Sequence, residues 1–237
     1  MNSTSLPRLW LRLLTFRATF DDYSSLNAKH LLAALVACWL VGIGRYWDDP
    51  RATVLQHAGV GSVIYVFVLA AVLWIIVKPL FPERFTYLGV LSMVSMTAPP
   101  AALYAIPVEK WTTIQTANQL NLCFLGIVAL WRLSLWIHYL TRFGWFTTGR
   151  VIICGFLPIG MILAALVILN LHHVVVDVMG GIREAHQSSQ DVAYQVMSFI
   201  AFLAIPVSLL MALAWLIMVA LEWTERYNHR QGRTNAP

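Results

Sequence analysis

The sequence predicts an all-α fold: a polytopic bundle of transmembrane helices with both termini on the inner side. Six spans are expected, or five if the short first one does not insert. Three observations carry this. Of 237 residues, 59% are apolar and only 11% are charged, whereas soluble domains run at about 45–50% and about 25%. Mean hydropathy is +0.69. Apolar runs recur along the chain at roughly the 20 residues a spanning helix needs. A soluble enzyme, a disordered chain and a coiled coil are excluded on composition alone.

Residues 1–30 read as a cytosolic tail containing a basic, Leu/Trp-rich stretch from Leu6 to Leu14. Pro7 suits a first helical turn, and Arg8 and Arg12 share a face at i, i+4. An interfacial amphipathic helix on the inner leaflet is therefore expected. The bundle follows over residues 31–222. The expected spans are Leu31–Trp47, Ala58–Val77, Thr86–Ile106, Ala117–Tyr139, Val151–Leu171 and Tyr194–Leu221. The first reads as a signal anchor, since no cleavable leader precedes it. The third is interrupted by Pro99-Pro100 and the sixth by Pro206, matching places in a three-plus-three division that some transporters use for broken helices. Residues 223–237 read as a basic cytosolic tail.

Charge tests the arrangement independently. With the N-terminus inside, eleven basic residues fall on the inner side: Arg8, Arg12, Arg17, Lys29, Lys78, Arg84, Arg142, Arg150, Arg226, Arg230 and Arg233. Four fall outside: Arg45, Arg51, Lys110 and Arg183. This is the positive-inside bias. It also accounts for the net charge of +5 without nucleic acid. Trp47, Trp111, Trp145 and Trp223 fall at span ends, where an aromatic belt belongs. Cys38, Cys123 and Cys154 lie inside apolar runs and read as packing residues, with no disulfide framework.

One basic residue has no topological reason for its place. Arg132 lies near the middle of the fourth span, where an arginine costs about 2.5–3.5 kcal/mol on insertion scales. No Asp or Glu occurs at that depth to neutralise it. Trp136, at i+4, offers a cation–π partner. Pro99, Pro100 and Pro206 free helix carbonyls at a similar depth, those of Ser95, Met96 and Phe202. The expectation is a midplane polar site in which spans three, four and six enclose Arg132. Against it stands the plain reading that the prolines only kink their helices and Arg132 only fixes packing.

Two further groupings are weaker. His172, His173 and Asp177 close the fifth span on the outer side and form a candidate metal site, although no HExxH or CxxC pattern accompanies them. Ser134 and His138 share a face of the fourth span, but serine at such a position ordinarily bonds its own backbone.

No cofactor is implied. The expected partners are the lipid bilayer and either a membrane-protein partner or a second copy. The leading functional expectation is a non-enzymatic scaffold, assembly or regulatory component of a bacterial inner membrane. The alternatives are a small-solute transporter or channel using the site around Arg132, and a membrane-embedded enzyme using the outer His and Asp residues.

Overall fold

In the computed structural model the described residues are 5–47, 52–169 and 187–234; they form helices and no strand. The local sequence explains where each helix begins. Helix α1 (Leu6–Leu14) carries Pro7 in its first turn, where the missing N–H costs nothing. Helix α2 (Phe20–Ser24) opens on a capping box: the Thr19 side chain accepts from the Asp22 N–H, and the Asp22 carboxylate accepts from the Thr19 N–H at 2.9 Å. Asn27 caps α3 (Ala28–Tyr46), and Thr53 and Gln56 box α4 (Val54–His57).

Helix α5 (Val60–Val77) starts at Gly59, which has φ +67°. A Cβ there would lie 2.7 Å from the Trp39 carbonyl oxygen, so both the conformation and the space demand glycine. Helix α6 (Tyr87–Met96) is followed by a 3-10 helix (Pro99–Ala105) bent 44° from it. The two adjacent prolines supply the break, since neither can donate to the preceding turn. Helices α7 (Ile114–Arg142), α8 (Thr148–Ile168) and α9 (Gln187–Thr234) complete the described chain.

Five of these helices, α3, α5, α7, α8 and α9, are long and apolar enough to cross a membrane, and α6 with the 3-10 helix makes a sixth if counted together. This is the all-helical, membrane-embedded class that composition demands. Helix α9 extends beyond the sixth expected span in both directions, and within the expected basic tail it continues as far as Thr234. At 1.5 Å per residue its 48 residues reach about 72 Å.

Packing is built on close approaches. Helix α8 lies against α9 with Gly160 under Ser208; a Cβ at Gly160 would fall 2.7 Å from the Ser208 Cβ. Trp215 of α9 donates to the Ile76 carbonyl of α5 at 2.8 Å. At the end of the bundle that gathers the basic residues, Glu222 accepts from Arg150 at 2.8 Å and from Arg226 at 3.2 Å. Arg226 also donates to the carbonyls of Pro79 and Leu80. An aromatic cluster of Phe85, Tyr139, Phe143 and Phe146 fills the same end, with Tyr23 edge-on to Tyr139 at 4.9 Å.

Helix α1 forms as its amphipathic pattern predicts, but the bundle covers its apolar face. Leu9 and Leu13 are each 1% exposed within the common core. The Trp10 indole donates to the Met96 carbonyl at 2.7 Å, and the Trp131 indole donates to the Leu14 carbonyl at 3.0 Å. Arg12 pairs with Asp22 at 3.1 Å. The helix thus bridges the end of α6 and the middle of α7 instead of presenting that face to lipid.

Candidate functional site

A cavity of about 710 Å³ opens between α3, α5, α6, the 3-10 helix, α7 and α8. Its walls are mostly aliphatic, and its polar groups are few. Arg132 enters from α7, Thr97 from the end of α6, Tyr65 and Ser62 from α5, Arg45 from α3 and Tyr104 from the 3-10 helix. None of the described lining residues is acidic.

The geometry around Arg132 follows from the break after α6. With Pro99 and Pro100 ending the helix, Thr97 sits at its C-terminal cap, where the hydroxyl donates to the Val94 carbonyl at 2.6 Å. The same oxygen accepts from Arg132 Nε at 3.2 Å. The guanidinium carbon lies 5.6 Å from the centre of the Tyr65 ring, within cation–π range. Arg132 Nη2 is buried with no hydrogen-bond partner. Inside a protein such an orphaned charged donor is costly, and an anion offers it the strongest compensation.

The partners differ from those expected. Arg132 lies over Tyr65 of α5 and not over Trp136. Trp136 does line the cavity, but its indole N–H is committed to the Cys154 carbonyl at 3.1 Å. The carbonyls released by Pro99 and Pro100 are taken by others: Cys38 Sγ donates to Ser95 O at 3.3 Å, and Trp10 to Met96 O. Pro206 is exposed on α9, and no described residue of α9 lines the cavity. Spans three and four therefore meet around Arg132, but span six does not: α9 packs against α8 and, through Trp215, against the Ile76 end of α5. Its place is taken by α3 and α5.

His172, His173 and Asp177 lie outside the described residues. Among those described, no three His, Cys, Asp or Glu side chains gather as a metal site. Ser134 is exposed, and His138 Nδ1 pairs with the Tyr23 hydroxyl at 2.9 Å, so the two residues do not form a dyad. Sequence reasoning missed Tyr65 and Thr97. Both carried a signal: a tyrosine in mid-run whose hydroxyl needs a partner, and a threonine two residues before a double proline. The pairing across 35 residues between Thr97 and Arg132 carried none. No family model, curated protein or solved structure matches the chain.

Proposed function

We propose that the chain is a non-enzymatic membrane carrier for a small anion with an apolar body, held in the bundle with Arg132 as its counter-charge. The observation that carries this is the buried, unpaired Nη2 of Arg132 beside a cavity with aliphatic walls and no acidic lining among the described residues. The Thr97 hydroxyl and the Tyr65 ring orient the guanidinium, and the aliphatic walls receive the rest of the ligand. A carboxylate or phosphate monoester on a short hydrocarbon chain fits that division of chemistry. The charge bias supports six spans with both termini on the cytoplasmic side of a bacterial inner membrane.

Hexyl phosphate is a suitable probe. In proteoliposomes the wild-type chain takes it up, while Arg132→Gln lowers uptake roughly ten- to a hundredfold, the worth of a charge-assisted hydrogen bond. Unfolding temperature and yield in detergent stay close to wild type, and Arg132→Lys retains part of the flux. Undiminished uptake by a folded Arg132→Gln variant overturns the carrier reading.

A second reading, an assembly component, is favoured by α9, whose spanning stretch is only 6% buried. It predicts a stoichiometric partner or second copy crosslinked through Leu210→Cys; exclusive recovery of the lone chain counts against it.

A further inference from the structure

At the basic end of the bundle a second cleft, of about 510 Å³, separates the α1–α2 connection from the C-terminal turn of α7. Arg17, Arg142 and His138 supply its polar surface, and Phe16, Phe20 and Trp145 its aromatic rim. It is distinct from the Arg132 cavity: ten residues of α7 separate Arg132 from Arg142, about 15 Å along the helix.

Three features set this cleft apart from an ordinary basic flank. First, its charge is uncompensated. Neither Arg17 nor Arg142 makes an ion pair among the described residues, and the neighbouring Asp22 is already taken by Arg12 and by the Thr19 hydroxyl and N–H. Second, its rim is set by two helix-ending turns. Phe16 (φ +61°) and Trp145 (φ +55°) are the two non-glycine residues with positive φ among those described. Each closes the helix before it as a left-handed C-cap, with Arg17 N–H donating to the Arg12 carbonyl at 2.8 Å and Phe146 N–H to the Leu140 carbonyl at 3.2 Å. Third, the turn that carries Trp145 is pinned by its neighbours. Arg84 donates to the carbonyls of Phe143 and Gly144 at 3.3 Å and stands 5.0 Å from the Trp145 ring, while Phe20 stacks on Phe143 at 5.5 Å. Trp145 is nonetheless 67% exposed.

We propose that this cleft binds the phosphate headgroup of an anionic phospholipid, gripped between Arg17 and Arg142 with the acyl chains leaving past Trp145 and Phe16. The two guanidiniums match a phosphodiester, and the exposed rings match the hydrocarbon that begins just below it. A free phosphate would use the arginines and leave the rings idle.

The test uses the full chain in a neutral detergent, titrated with phosphatidylglycerol or phosphatidylcholine and read by native mass spectrometry. Phosphatidylglycerol is expected to bind in preference, and Arg17→Gln and Arg142→Gln each to weaken it about tenfold. A control that removes two charges elsewhere, Arg230→Gln with Arg233→Gln, is expected to leave it unchanged. Because Arg17 and Arg142 are exposed and unpaired, these variants fold, as unchanged circular dichroism verifies. Trp145→Ala should weaken the lipid without altering binding of glycerol 3-phosphate. Equal loss in the control, equal retention of both lipids, or displacement of the lipid by glycerol 3-phosphate at matched concentration overturns the proposal.

Discussion

Three residues show how much of this bundle depends on single polar or steric fits. Thr97 holds Arg132 Nε, and Thr97→Val keeps the shape while orphaning that donor. A loss of about 1–3 kcal/mol is expected, read as a lower unfolding temperature in detergent. Gly160 leaves no room for a side chain: Gly160→Ala forces α8 from α9 at an expected cost of about 1–3 kcal/mol. Ser208→Gly should recover most of it in the double variant, and additive losses instead would show that the two sites are independent. Tyr23 lies outside the spans, and burial, aided by the Asp22 carboxylate, pushes its phenol above the ordinary value of 10.0. Below that pH the folded and unfolded states hold the same proton. As pH rises past it the unfolded phenol ionises first, so stability falls. Tyr23→Phe should remove that part of the alkaline slope.

At the scale of elements, apolar run length made the long helices legible, and the Leu6–Leu14 pattern made α1 so. The short helices α2 and α4 went unread although their Thr19 and Thr53 capping boxes are local signals. The break at Pro99-Pro100 was plain. What the breaks leave behind was not. Which donor takes a released carbonyl depends on residues 57 and 86 positions away, Cys38 and Trp10, and no periodicity encodes such distances. The role of Pro206 was misjudged for the same reason, because shared depth in a membrane does not imply shared neighbours. Helix α1 teaches the complementary lesson: its amphipathic pattern specifies an apolar stripe but not whether protein or lipid receives it. Leu9→Ala and Leu13→Ala should each cost about 2–5 kcal/mol if the bundle is the receiver, as core truncations do. Unchanged thermal unfolding would instead place that face against detergent or lipid.

Across the whole molecule, exposure is inverted relative to a soluble protein. Phe202, Leu210, Leu213, Leu216 and Leu221 of α9 face outward, an arrangement that hydrocarbon or a covering partner tolerates and water does not. The scarce charges are spent at one end, where Arg84, Arg150 and Arg226 tie α5, α7, α8 and α9 together. In a cysteine-free background, Ser24→Cys and Thr113→Cys should react with an impermeant maleimide from opposite faces of the membrane. Labelling from the same face would refute the six-span arrangement.

The docking of α1 also fixes an order of events during synthesis. Helix α1 donates from Trp10 to the Met96 carbonyl and accepts at the Leu14 carbonyl from Trp131, which lies 117 residues further along the chain. Met96 is in place once α6 has been made, but the Trp131 contact waits for α7. The docked arrangement of α1 is therefore completed only when the seventh helix arrives.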